Sequence, residues 1–76
     1  MNLSDFKDRI NSLVNFVDFD YNDIPCGIYP INAEHFDMWY GEEAVVAKSI
    51  EEVFNIRIFD GKSLTEIFNH ITNIDI

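Results

Sequence analysis

The stretch that decides the fold is His35-Phe36-Asp37-Met38-Trp39-Tyr40-Gly41-Glu42-Glu43-Ala44-Val45-Val46-Ala47. Its first half alternates between two faces, as a β-strand does, and glycine at the first central position suits a two-residue turn. With Gly41-Glu42 as that turn, the predicted cross-strand pairs are Tyr40 with Glu43, Trp39 with Ala44, Met38 with Val45, Asp37 with Val46 and Phe36 with Ala47. One face of this hairpin then carries Phe36, Met38, Val45 and Ala47, which is half of a core.

Two capping boxes follow the hairpin. In Ser49-Ile50-Glu51-Glu52 and in Ser63-Leu64-Thr65-Glu66, a serine and the glutamate three residues later can satisfy each other's backbone donors. The first box predicts a short helix with Ile50, Val53 and Phe54 on its apolar side. The second predicts a longer helix, because Leu64, Ile67, Phe68, Ile71 and Ile74 keep helical spacing. Between the two helices, Ile56–Phe59 is expected to be extended and Asp60-Gly61 to be a turn.

The chain before the hairpin predicts one helix and one strand. Leu3, Phe6, Ile10, Leu13, Val14 and Val17 recur every three or four residues, which indicates a helix with Ser4 as its N-cap. The segment from Asp18 to Asp23 is interpreted as a polar connector. Cys26–Tyr29 is expected to be a strand, and an edge strand, because Pro25 and Pro30 bracket it.

These elements predict a single α+β domain over residues 1–76. We expect an N-terminal helix, a three-stranded antiparallel meander and two C-terminal helices, with the helices packed on one face of the sheet.

Composition indicates a soluble cytoplasmic protein with a negative surface. The 76 residues include 14 acidic and 5 basic side chains, for a formal net charge of −9. Such a field disfavours nucleic acid as a partner and favours basic proteins. The single cysteine, Cys26, allows no internal disulfide, and no stretch reaches the roughly 18 apolar residues of a membrane span. We expect neither a membrane nor a nucleic-acid partner.

The hairpin, the Ser-Ile-Glu-Glu helix start and the Phe59-Asp60-Gly61-Lys62-Ser63-Leu64 link together resemble small uncharacterised proteins of low-GC Gram-positive bacteria and their prophages. The resemblance covers residues 36–71. It implies an intracellular accessory protein, and it brings no known activity and no catalytic residues.

Three patterns hint at chemistry, and each also has a structural interpretation. Gly61-Lys62-Ser63 ends like a phosphate-binding loop, but the glycine required five residues earlier is Ile56. Asp18, Asp20 and Asn22 match the first ligand positions of a calcium loop, whose sixth and twelfth positions here are Asp23 and Tyr29. Cys26 with His35 or His70 could supply a thiol nucleophile, although a buried free cysteine is the commoner outcome. We therefore predict no cofactor, no metal site and no enzymatic activity.

Trp39 is the candidate with most bearing on function. Either it is part of the core, or it lies on the face opposite Met38 with Val46, rimmed by Asp37, Glu42 and Glu43. The second alternative predicts an interaction surface made of these five residues.

The first functional hypothesis is a regulatory or inhibitory module that acts through protein contact, and a DNA-mimicking inhibitor encoded by a phage or mobile element is its sharpest form. The alternative is a self-associating accessory protein whose hairpin edge or Trp39 face forms a homodimer.

Overall fold

The computed structural model describes residues 2–12 and 16–75 of the chain. Five strands form one antiparallel sheet with the order β4-β3-β2-β1-β5, and short helices lie before and after the first four strands. In chain order the elements are α1 (Leu3–Asn11), β1 (Val17–Tyr21), β2 (Ile24–Asn32), β3 (His35–Tyr40), β4 (Glu43–Ala47), α2 (Ile50–Asn55), α3 (Leu64–Ile67), a 3₁₀ turn (Phe68–His70) and β5 (Thr72–Asp75).

The predicted fold class is therefore wrong in its architecture. A three-stranded meander with two C-terminal helices is replaced by a five-stranded sheet, because the chain adds one strand before the meander and another after the last helix. The register of the β3–β4 hairpin is confirmed at all five pairs, from Tyr40 with Glu43 to Phe36 with Ala47. Its turn has Gly41 at φ +59°, where a residue without Cβ is least strained.

The first missed strand is β1. Its residues alternate Val17, Phe19 and Tyr21 toward the core with Asp18 and Asp20 away from it, so the predicted connector is a half-buried strand. Asn22 and Asp23 both have positive φ and form the two-residue turn to β2, the backbone that a type I′ hairpin requires. Val17 belongs to this strand and not to the first helix.

The first helix is shorter than predicted, and its N-cap is different. It ends at Asn11, and the Oδ1 of Asn2 accepts the amide of Asp5 at 2.8 Å, so Asn2 is the cap and Ser4 is not. The helix buries Phe6 and Ile10. Leu13 and Val14, which were placed on the same helical face, lie outside the described residues.

The edge position predicted for Cys26–Tyr29 is also wrong, because β2 is the central strand. Both prolines are accommodated at the margins of its ladders. The carbonyl of Pro25 accepts the amide of Gly41 at the end of β3, and the β2–β3 register shifts next to Pro30. Sheets tolerate proline near strand ends and at bulges, where the missing donor leaves no acceptor unpaired.

Ser49 and Ser63 both cap helices as predicted, but the second helix is only one turn long. The first capping box is incomplete, because Glu52 Oε2 accepts the amide of Lys48 and not that of Ser49. Ser49 accepts the amide of Glu52, and Ser63 forms a complete box with Glu66. After the 3₁₀ turn, Ile71 is extended and the chain continues as β5, which pairs with β1. The predicted helical positions Ile71 and Ile74 are thus not helical.

The core lies between the helices and one face of the sheet, which we call the inner face. Phe6 of α1 is at its centre, with ring centroids 6.2 Å from Phe19 and 6.4 Å from Phe54, both near edge-to-face. The fully buried strand side chains point to this face: Val17, Phe19, Cys26, Ile28, Phe36, Met38 and Ala47. The opposite face, the outer face, carries Asp18, Gly27, Tyr29, Asp37, Trp39, Ala44 and Val46.

Candidate functional site

Trp39 lies on the outer face and covers a glycine of the central strand. Gly27 is its direct cross-strand partner, and a Cβ built on Gly27 would lie 2.0 Å from Cζ2 of the indole. The ring therefore lies flat against the backbone of β2, in the space that any other side chain would occupy. This contact leaves Trp39 half-buried, neither part of the core nor fully exposed.

Exposed apolar side chains continue from Trp39 across the outer face. Tyr29 is 52% exposed and Val46 is 46% exposed, and both flank Asp37 in one cross-strand row. Phe16, just before β1, extends this row, with its ring centroid 6.1 Å from that of Tyr29. We call Phe16, Tyr29, Trp39, Ala44 and Val46 the outer patch. Solvent-facing apolar side chains that group in this way mark contact surfaces more often than isolated ones do.

Carboxylates are interleaved with the outer patch. Asp18 is in the same cross-strand row as Gly27 and Trp39, and Asp37 lies between Tyr29 and Val46. The imidazole of His35 contacts one of these carboxylates: its Nε2 is 2.9 Å from Oδ1 of Asp37. Asp20 receives a hydrogen bond from Nδ2 of Asn73 at 2.8 Å. The outer face is therefore apolar and acidic together.

The five residues predicted as an interaction surface do not all share one face. Trp39, Asp37 and Val46 lie together on the outer face. Glu42 is in the turn, and Glu43 is paired with Tyr40, so its side chain projects toward the inner side of the sheet edge. Phe16, Tyr29 and Gly27 were missed. The alternation of Val17–Tyr21 was the available signal for Phe16, because it would have placed this residue beside the meander.

The residues of the thiol hypothesis are not brought together. Cys26 is buried on the inner side of β2, whereas His35 lies on the outer face and His70 is exposed in the 3₁₀ turn. Burial raises the pKa of the Cys26 thiol to about 11, a hydrogen bond with the Tyr21 backbone opposes part of this rise, and the nearby Asp20 carboxylate adds a still smaller increase. The thiol is thus protonated at neutral pH, the form that does not attack electrophiles.

The other two patterns take structural roles. Asp18 and Asp20 project from β1 and Asn22 is in the turn, and no three acidic, histidine or cysteine side chains of the described residues are grouped so that they could hold a metal ion. Gly61 and Asp60 form a turn closed by reciprocal backbone hydrogen bonds of 3.0 Å between Phe59 and Lys62, and Ser63 caps α3.

The outer patch contains three of the five large apolar side chains that are exposed among the described residues, namely Phe16, Tyr29 and Val46. None of the helices described in residues 2–12 and 16–75 is long and apolar enough to cross a membrane. Comparisons with protein-family models, with curated proteins and with solved structures find no match to this chain.

Proposed function

We propose that this protein is a protein-binding module whose outer face engages a partner that presents apolar side chains together with lysine or arginine. The single observation that supports this proposal is the outer patch, in which exposed aromatic and aliphatic side chains surround Asp18 and Asp37. Interfaces are enriched in tyrosine, tryptophan and phenylalanine. Leaving such residues on the solvent side of a small domain is otherwise unfavourable.

Charge selects the class of partner. The net charge of −9 attracts basic proteins and repels nucleic acid, and its effect is strongest where carboxylates adjoin an apolar surface that loses water on binding. A regulatory or inhibitory role fits this description, including occupation of a cleft that otherwise binds nucleic acid. The free thiol of Cys26 is compatible with action in a reducing cytoplasm.

The test is capture of partners from a lysate of the source organism by immobilised protein, with quantitative comparison of variants. Tyr29→Ser removes an exposed ring at the centre of the outer patch. Ile74→Ser removes an apolar side chain of β5 that is 37% exposed. Its neighbours Asn73 and Asp75 are directed to the outer face, because they meet Asp20 and Asp18. Ile74 is therefore directed away from the outer face, and Ile74→Ser is the matched control.

We expect one basic protein to be captured by the wild type and by Ile74→Ser, and to be depleted at least tenfold with Tyr29→Ser. Its binding should weaken as salt is raised, since exposed charges are screened within about 8 Å at physiological ionic strength. Equal capture by all three proteins would overturn the proposal. Capture of an acidic or neutral partner that is insensitive to salt would contradict its electrostatic part.

A further inference from the structure

The free edge of β4 is open for pairing with another strand. The backbone amide of Gly41 bonds to β2, so the alternation of an antiparallel ladder directs the backbone N–H and C=O groups of Tyr40, Met38 and Phe36 toward β4. The backbone groups of their partners Glu43, Val45 and Ala47 are therefore bonded to β3. The N–H and C=O groups of Ala44 and Val46 point away from the sheet, on a side where residues 2–12 and 16–75 form no further strand.

The two edges of the sheet differ in how they are protected. The β1–β5 ladder contains a register shift, β5 has Asn73 in the left-handed region, and three of its four residues are polar. Sheet edges are commonly blunted by such irregularities, by charge or by proline. By contrast, Ala44–Ala47 are regular, uncharged and free of proline, and Ala44 and Val46 are exposed. Within the described residues, no other hydrogen bond reaches their outward groups.

The sequence of this edge is complementary to itself in the antiparallel sense. A two-fold axis through Val45 places Ala44 of one copy against Val46 of the other, twice. These are the residues whose backbone groups point outward, so the pairing forms four hydrogen bonds between the copies. Counted one pair beyond the strand, to Glu42 of the turn and to Lys48 just after β4, the same register sets Glu42 of one copy opposite Lys48 of the other. An opposite-charge pair thus closes each end of the strand pairing.

We propose that two copies of this chain associate through antiparallel β4–β4 pairing centred on Val45, which forms a continuous ten-stranded sheet. This register is the reason for proposing a second copy as the partner. One segment of the chain supplies the apolar contact at the centre, from Ala44 and Val46, and both partners of the Glu42–Lys48 contact at the ends. The amide of Lys48 is already bonded to Glu52 Oε2 at 2.6 Å, so backbone pairing stops at Ala44 and Val46 while the lysine side chain stays available.

Edge pairing of this length buries little surface, so the dimer is weak, and the net charge of −9 per copy opposes it. The Glu42–Lys48 contacts offset that repulsion where the copies meet. The association places the two outer patches side by side, since Val46 of each copy lies next to the axis. This inference does not depend on the outer-face partner, and its test uses the purified protein alone.

Sedimentation velocity over a concentration series measures the association, and charge exchange tests the register. We expect Glu42→Lys and Lys48→Glu each to raise the dimer dissociation constant about tenfold, because each creates two like-charge contacts. The double variant Glu42→Lys/Lys48→Glu restores opposite pairs and should lie within about threefold of the wild type. A double variant as weak as either single variant would overturn the register.

Hydrogen exchange at single amides separates this dimer from other assemblies. Amides of Val45 and Ala47 should be protected at every concentration, whereas those of Ala44 and Val46 should become protected only as the dimer fills. Ala44→Pro removes one outward amide and should leave a folded monomer, because edge positions tolerate proline; if it does not fold, the charge exchange alone decides. A protein that stays monomeric throughout, or a dimer with Ala44 and Val46 unprotected, would refute the proposal.

Discussion

The indole of Trp39 occupies the space over Gly27 where a side chain would otherwise stand, 2.0 Å from the position of its missing Cβ. Glycine weakens a strand interior, since it has no side chain to pack and loses more backbone entropy on folding than other residues. An aromatic residue on the neighbouring strand compensates by covering the exposed backbone. The one tryptophan of the chain and the one glycine within its strands are thus a matched pair, which explains why Trp39 is half-buried on a face that none of the described helices covers.

This pairing predicts that Gly27→Ala destabilises the wild type but not a chain without the indole. The new methyl group would displace the ring, at a cost of about 1–3 kcal/mol in the free energy of unfolding. In the Trp39→Ala background the same change should be neutral or stabilising, because alanine loses less backbone entropy than glycine. Denaturant titrations of the four proteins of this cycle measure the difference. Equal costs in both backgrounds would mean that the ring and Gly27 are not coupled.

The last helix is held by its capping box, and its short length increases the importance of the cap. Ser63 accepts the amide of Glu66 at 3.3 Å while a Glu66 carboxylate oxygen accepts the amide of Ser63 at 3.1 Å. Ser63→Ala should reduce the free energy of unfolding by about 1 kcal/mol. Ser49→Ala, at the corresponding cap of α2, is the comparison. A Ser63 variant indistinguishable from wild type in urea would show that the hydroxyl contributes no net stability.

Glu66 links this cap to acid sensitivity. Hydrogen bonds from the backbone and side chain of Ser63 lower the pKa of the Glu66 carboxyl, with a smaller contribution from Arg57, whose Nη1 is 3.2 Å from Oε1. A carboxyl whose pKa is lowered on folding stabilises the protein above its unfolded pKa, and this stability is lost as the pH falls through the folded value.

Wild type should therefore be more stable than Glu66→Gln at neutral pH, and the two should converge as the pH falls past the lowered pKa of Glu66. Urea midpoints at a series of pH values measure this, with the exposed Glu34→Gln as control. A stability difference that stays constant with pH, or that grows in acid, would contradict the assignment.

How far the fold could be read from the sequence depended on whether one pattern or two fitted each segment. The β3–β4 register was predictable because the alternation and Gly41 agreed with each other. Val17 fits both a helical spacing that starts at Leu3 and a strand alternation that continues to Tyr21. Because Val17 was assigned to the helix, β1 was not predicted. The strand assignment prevails because Val17, Phe19 and Tyr21 are all buried against the core.

The fifth strand had no signal strong enough to be recognised locally. Thr72–Asp75 contains one apolar residue, and all four residues are exposed, so only pairing with β1 makes it a strand. Because β1 was missed, its partner was missed as well. Missing β1 also left part of the outer patch unpredicted. Trp39 and Val46 could be proposed from the hairpin alone, whereas placing Phe16 and Tyr29 on the same surface requires a sheet in which β2 is the central strand.

Cys26 provides a chemical test of that central position. The thiol is 1% exposed and its pKa is raised to about 11, chiefly by burial. At pH 8 we expect the alkylation rate of Cys26 to equal the rate of an unprotected cysteine multiplied by the small fraction of molecules that transiently unfold and expose the thiol. In denaturant the rate should reach that of an unprotected cysteine. Rapid modification under native conditions would place Cys26 at the surface and contradict β2 as the central strand.

The final prediction concerns Trp39 itself, whose removal should affect both stability and binding. Replacing a fully buried tryptophan by alanine costs about 3–5 kcal/mol, but the indole of Trp39 is only partly buried and its removal leaves no enclosed cavity, so we expect about 1–2 kcal/mol. Its fluorescence in the monomer should be intermediate in wavelength and partly accessible to a neutral quencher. Tyr29→Ser, which removes an exposed ring without uncovering Gly27, separates the two effects: it should weaken partner capture while leaving the melting transition nearly unchanged. A Trp39→Ala protein that unfolds entirely, or one that matches wild type in both stability and capture, would contradict the proposal that the indole over Gly27 contributes both to the stability of the sheet and to partner binding.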